Sequence, residues 1–171
     1  MHRRFLLFAS IVCLALLHNC ASPTYTVVME PSGTKILKGF FEREDLEHDT
    51  LFTWFKFNYT SYILDTASLR EIKPLVKGLH FVIVLGTWCG DSKHEVPKQC
   101  KILDAVDVSS GDISFFGVDR SKKSLDGVTD KYNIFKVPTM IVLKGDHELG
   151  RIVENPRESQ ELDLLRILNK Q

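Results

Sequence analysis

The chain has 171 residues, 44% of them apolar and 26% charged, which fits one domain with a real hydrophobic core and a small extension. Its formal net charge at pH 7 is zero, so no basic excess points to nucleic acid and that class of partner is set aside.

At the N-terminus, Arg3 and Arg4 precede an apolar run over residues 5–17. The run is shorter than the roughly 20 residues that a membrane-crossing helix needs. A basic start followed by a short apolar stretch reads as a secretory signal, assigned to residues 1–19. The segment closes as Leu17-His18-Asn19-Cys20, then Ala21-Ser22-Pro23. This resembles a bacterial lipoprotein signal, in which a leucine lies three residues before a cysteine that becomes lipidated. The resemblance implies lipidation at Cys20 and a membrane anchor of several acyl chains, enough for stable attachment. It places the protein in the bacterial cell envelope, exported and facing the periplasm. His18 and Asn19 depart from the small residues that such signals prefer, and the alternative is a plain secretory signal in which Cys20 is incidental.

Residues 20–34 contain Pro23, Pro31 and Gly33 without helical period and read as a tether, with room for a short strand at Tyr25–Met29. Residues 35–65 form an aromatic-rich N-terminal extension. Leu51, Phe52, Phe55, Tyr59 and Tyr62 fall at helical spacing, while Phe55, Phe57 and Tyr59 also alternate as a strand would. An amphipathic element packed on the main sheet is the plainer reading, and a peptide-binding aromatic surface is the sharper one. From residue 66 to 171 strands and helices alternate. A helix over 67–76 carries Leu69, Ile72 and Leu75 on one face, with Pro74 ending it early. Residues 81–85 are a continuous apolar run, expected of a central strand covered on both faces. A helix over 92–106, a strand over 113–118 and a short helix over 128–132 follow. Strands over 139–143 and 148–153 are joined by a hairpin-like turn. Asn155, Pro156 and Glu158 predict the start of a last helix, with Leu162, Leu165 and Leu168 as its buried stripe. The order implies an α/β fold, a mixed central sheet flanked by helices.

Trp88-Cys89-Gly90-Asp91-Ser92 follows the apolar strand and begins a helix. Unpaired N–H groups and the dipole at a helix N-terminus favour negative charge, and the thiolate is the nucleophilic form of cysteine. Of the other cysteines, Cys13 leaves with the signal, and Cys100 reads as buried packing beside Ile102 and Leu103. Cys100 lies eleven residues beyond Cys89 in the same helix, about 16 Å at roughly 1.5 Å per residue. That is too far for a disulfide, which needs Cα atoms within about 7 Å. Asp91 and His94 read as a solvated first turn rather than as acid–base partners. The histidines form no ligand spacing with Cys89, so no metal and no cofactor is expected.

Trp88-Cys89-Gly90, Pro97 eight residues after Cys89, the stretch Lys131 to Thr139 ending in Val137-Pro138-Thr139, and Gly145 in the hairpin together resemble the thioredoxin superfamily. Gly86-Thr87 and Gly117-Val118-Asp119-Arg120 further resemble an uncharacterised bacterial branch of thioredoxin-like proteins. The resemblance implies a thioredoxin-like fold over residues 66–171 and a cis bond at Pro138. It makes Cys89 and Ser92 the catalytic pair, with Ser92 donating a hydrogen bond to the sulfur or capping the helix. Trp88, Gly90, Val137 and Pro138 would bind substrate, Trp88 shielding one side of the sulfur. Two departures matter. Ser92 replaces the family's second cysteine, and Ile83 replaces its buried acidic residue, six positions before the first cysteine. The implied function is single-cysteine thiol–disulfide exchange. Its partners are exported proteins or small-molecule thiols and disulfides, with an external thiol as reductant. The alternative is a non-catalytic thioredoxin-fold binding module for exported proteins. A peroxide-reducing thiol ranks below both, because the motif around Cys89 differs from that of the family's peroxide reducers.

Overall fold

Residues 81–85 are apolar without interruption, so a strand made of them must be covered on both faces and paired on both edges. A computed structural model describes residues 24–170 and meets that demand with a six-stranded sheet. The signal over 1–19 and the lipidation at Cys20 lie outside the described residues. The strands are β1 (Tyr25–Met29), β2 (Lys35–Phe41), β3 (His80–Leu85), β4 (Ile113–Gly117), β5 (Thr139–Lys144) and β6 (His147–Val153). They lie in the order β1-β2-β4-β3-β5-β6. Only β3 and β4 run parallel; the remaining neighbours are antiparallel.

Alternation along β3 sends Phe81, Ile83 and Leu85 into a large core with Leu37, Phe41, Phe115, Met140 and Val142. Val82 and Val84 enter a smaller one with Val118, Val128, Ile134, Val137 and Ile141. The helices divide unequally between the faces. Helices α1 (Glu44–Glu47), α2 (Thr53–Ser61), α3 (Thr66–Ile72), α4 (Gly90–Ala105) and α6 (Gln160–Leu168) bury residues in the large core. On the smaller side lies α5 (Val128–Lys131).

The segment read as a tether contributes a strand. β1 pairs with β2, and β2 pairs with β4, so the N-terminal hairpin extends the main sheet. Gly117 permits this. A Cβ there would stand 2.2 Å from the Leu37 carbonyl oxygen. The aromatic stretch is helical, not extended. Its Phe55 is buried, Tyr59 and Tyr62 are half-buried, and Phe57 is exposed, while the helix packs along α4. Helix α3 ends at Ile72, where Pro74 enters a 3-10 turn over Lys73–Leu75.

The last helix departs from expectation. It starts at Gln160, and its cap is Ser159, whose hydroxyl accepts from Leu162 N–H at 3.1 Å. Asn155 and Pro156 precede it in a bend. Of the expected stripe, Leu168 is buried and Leu165 packs half-buried on the large core, while Leu162 is exposed; Leu164 and Ile167 complete the buried face. The helix is rotated because Gln160 and Glu161 are buried with partners of their own. Gln160 Nε2 donates to Glu95 at 2.8 Å, and Glu161 accepts from Tyr62 Oη at 2.7 Å and Asp65 N–H at 3.2 Å.

Two contacts fasten α2 to α4. Pro97 lies inside α4 and has no N–H for the carbonyl of Lys93; Asn58 Nδ2 donates to that carbonyl at 3.1 Å instead. Farther along, Arg43 forks onto Asp104 at 2.7 and 2.8 Å, and Tyr59 Oη donates to the same carboxylate at 2.7 Å. Burial alone would push the Asp104 carboxyl up; the bonds from Arg43 and Tyr59 outweigh it and hold the carboxyl below its ordinary range. A carboxyl held low stabilises the fold at pH values above its unfolded pKa, and that stability is lost as pH falls through the folded value. Asp104→Asn is therefore expected to cost about 1–2 kcal/mol at pH 7, allowing for partial solvent screening. Urea unfolding at pH 7 and again near pH 3 checks this: the gap between variant and parent should shrink in acid. An equal gap at both pH values would show that the charge is not the source.

Candidate active site

At the end of β3 the chain turns sharply. Cys89 N–H donates to Gly86 O at 2.8 Å, and the Lys93 N–H to Cys89 O bond of 3.1 Å opens α4, with Cys89 as its N-cap. Thr87 ties the turn to β2, donating to Lys35 O at 2.8 Å and accepting from Leu37 N–H at 3.2 Å. Ser92, fully buried, accepts from Gly86 N–H at 3.2 Å. The bond that the structure gives Ser92 thus holds the turn, a role beside the two expected of it, donation to the sulfur and capping of the helix. Gly90 is the first helical residue, and a Cβ there would meet nothing within 4 Å.

The Cys89 thiol is half-buried, and its sulfur donates to the Val137 carbonyl oxygen at 3.4 Å. The Val137–Pro138 peptide is cis. The loop around it is pinned by Thr139 Oγ1 donating to Lys136 O and by Glu154 N–H donating to Pro138 O, both at 2.7 Å. Trp88 Nε1 donates to Val118 O at 2.9 Å. Gly86 lies directly against the ring: a Cβ there would approach the indole to 2.7 Å. Cys89, Trp88, Val137 and Pro138 therefore converge, with Gly90 and Ser92 in the turn beside them.

Other candidates lie elsewhere. Cys100 is fully buried, and burial pushes its thiol up to about 12, although the Arg43 charge opposes this. Both described cysteines are free. Ile83 is fully buried and apolar, in the large core. Asp91 is exposed, and the His94 ring turns to Glu95, 2.6 Å away. No group of three or more His, Cys, Asp or Glu residues among those described could hold a metal ion. Among the described residues no helix is long and apolar enough to cross a membrane.

Sequence reasoning missed Arg120 and Phe135. The Arg120 guanidinium lies 5.2 Å from the Trp88 ring centroid. Phe135 is 77% exposed in the loop before Val137. Nothing in a lone arginine or phenylalanine marks such a place in a sequence; an apolar side chain left in solvent becomes visible only in the fold.

No family model matches the chain. It is 30% identical over 84 residues to a thioredoxin from Echinococcus granulosus, spanning 48% of this chain and 73% of that protein. Among solved structures, a Pseudomonas aeruginosa protein of unknown function superposes with a TM-score of 0.54 at 14% identity, covering 78% of this chain and 91% of that one. An HIV epitope scaffold superposes with a TM-score of 0.51 at 15% identity, covering 78% and 84%. These two likenesses concern the fold alone. With the thioredoxin match falling on a chain that carries a helix-terminal cysteine against a cis-proline loop, the protein belongs to the thioredoxin superfamily.

Proposed function

We propose that this protein is an exported thiol–disulfide oxidoreductase that acts through Cys89 alone, held at the cell envelope by a lipid on Cys20 and facing the periplasm. The observation that carries the chemistry is the half-buried Cys89 sulfur, 3.4 Å from Val137 O at the end of a helix and beside the cis peptide. The relative named above as a thioredoxin supports the redox class.

The reaction is exchange at sulfur. The Cys89 thiolate attacks one sulfur of a substrate disulfide, that S–S bond breaks, and the other sulfur leaves as a thiolate that takes up a proton. A mixed disulfide with Cys89 remains. An external thiol then attacks it as the thiolate, frees Cys89 and becomes joined to the substrate sulfur; a second equivalent of that thiol releases the substrate fully reduced. Two external thiols are thereby oxidised to one disulfide while the substrate disulfide is reduced. The external thiol is required because Ser92 has no sulfur and Cys100 is fully buried. Val137 and Pro138 present backbone to an extended substrate segment, and Trp88 shields one side of the sulfur.

Cys89→Ala is expected to abolish disulfide exchange, and Cys100→Ala to leave it nearly intact. Equal activity in the two variants would end the proposal. Loss of exchange with partner binding kept in Cys89→Ala would favour the binding-module reading. Alkylation supplies a second check: in the native protein iodoacetamide should label Cys89 and reach Cys100 only after urea is added. Ser92→Cys is expected to release mixed disulfides without an external thiol, measured as product formed in a single turnover. A mixed disulfide that persists in that variant would mean that the turn cannot bring a second sulfur to bear.

A further inference from the structure

We infer that Glu30 and Arg120 form a clamp that positions the Trp88 indole beside Cys89, making the β1–β2 hairpin a working part of the site. The inference rests on the exchange reading, since it concerns access to the same sulfur.

Arg120 Nε and Nη2 donate to the two Glu30 carboxylate oxygens at 2.5 and 2.7 Å, a bidentate fork. Glu30 is itself fixed in the hairpin turn. Its N–H donates to Thr34 O at 3.0 Å, and its carbonyl accepts from Gly33 N–H at 2.9 Å. The same guanidinium lies over the Trp88 ring at 5.2 Å, within the range where a cation is drawn to an aromatic face. The indole has two further restraints, the bond from Nε1 to Val118 O and the close backbone of Gly86. Val118 is tied in turn to β3 through its N–H on Leu85 O at 3.0 Å. The ring of Trp88, the residue before Cys89, is thus held by the turn after β3, by the segment after β4 and, through Arg120, by the hairpin.

Arginine suits this place and lysine does not. A planar guanidinium can fork onto a carboxylate and stack on a ring together, whereas an ammonium offers only a point charge. The charge of Arg120 is already matched by Glu30, so its work here is to place Trp88 and not to draw in an anion. Exposed ion pairs add little to global stability, so breaking this one leaves the fold available for study. Glu30 and Arg120 are positioning residues, acting through Trp88.

The test uses the full chain and two readouts. Of the two tryptophan indole N–H resonances in a proton–nitrogen spectrum, Trp54→Phe identifies the one from Trp88. The rate of Cys89 with neutral 2,2′-dipyridyl disulfide is followed by thiopyridone release, less the rate of Cys89→Ala. In Arg120→Ala, Arg120→Lys and Glu30→Gln the Trp88 resonance should move. Its N–H should exchange, and Cys89 should react, about two- to fivefold faster, the range that an exposed pair can supply. Glu30→Gln keeps the arginine charge and Arg120→Lys keeps a cation, so both separate positioning from electrostatics. Wild-type behaviour in either of these two overturns the clamp, and so does a shifted resonance with an unchanged rate. An unreactive Cys89 in the parent, with the Trp88 resonance still moving in all three variants, sinks the exchange reading and leaves the clamp on Trp88 standing.

Discussion

Everything at the site follows from the burial of β3. Its core residues Phe81, Val82, Ile83, Val84 and Leu85 are all nearly inaccessible, so the strand has to sit mid-sheet with cores on both sides. A parallel partner on one edge and an antiparallel partner on the other satisfy its backbone. The antiparallel partner then decides the chemistry. Val84 pairs with Thr139, so the residues just before Thr139 come alongside the residues just after Leu85. Val137 and Pro138 reach Cys89 by this register and by no local preference of their own. A one-residue slip would swap the residues that β5 gives to the two cores, Met140 and Val142 on one side and Ile141 and Leu143 on the other, so the register that fills both cores also sets the distance from sulfur to carbonyl.

The second dependence is the docking of α4, because the sulfur is carried at its first turn. Pro97 leaves a carbonyl without its helical donor, and Asn58 supplies one from α2. A chain of buried polar groups continues on the side toward α6. Glu95 accepts from Gln160, Lys98 pairs with Glu95, and Gln99 donates to Gln160 at 3.3 Å. Burial alone would raise the Glu95 carboxyl; its bonds from Lys98, Gln160 and His94 outweigh that and hold it low. Tyr62 reaches Glu161 from the end of α2. The aromatic extension is therefore a bracket. Its rings fill the large core, and its polar atoms fasten α4 to α6 in a single orientation. Buried polar seams of this kind are directional where apolar packing is not, which suits a helix whose first residue must meet a fixed carbonyl.

The sequence displayed β3, α4, the β5–β6 hairpin and the cysteine plainly, because each rests on a local pattern: an apolar run, a helical period, a turn between strands. The cis peptide was readable only through the resemblance carried by Val137-Pro138-Thr139. Other features were hidden for identifiable reasons. Residues 20–34 look like a tether with room for a strand at Tyr25–Met29, and that strand is β1; its pairing was hidden, because Pro31 and Gly33 break any helical period yet belong to the turn that makes the β1–β2 hairpin. Asn155 and Pro156 look like a helix start, but Ser159 caps the helix, and Glu154 before them adopts a left-handed backbone with φ of 57°. The stripe of α6 was legible only in part: Leu165 and Leu168 face the core but Leu162 does not, because Gln160 and Glu161 are buried, which no hydrophobic period reports. Glu30 and Arg120 stand 90 residues apart, and only the sheet order brings them together.

The two departures from the family pattern belong to one physical change. In the family pattern that this chain resembles, the buried acid that Ile83 replaces assists deprotonation of the second cysteine. With Ser92 in that position there is no second thiol to deprotonate, and a carboxyl at residue 83 would be a buried charge without a task. Burying an unpaired carboxylate is costly, so an isoleucine there removes a penalty once the function is gone. Ser92 meanwhile is not idle, since its hydroxyl holds Gly86 and hence the turn that presents Cys89. Cys89 thus keeps its place at the helix start, Ser92 has become part of the turn, and Cys100 is sealed in the core. On the exchange reading proposed above, a mixed disulfide at Cys89 would wait for another molecule to undo it. On that same reading the lifetime of the adduct would be set by the supply of external thiol and by its access past Trp88, so the placement of one indole ring would bear on turnover.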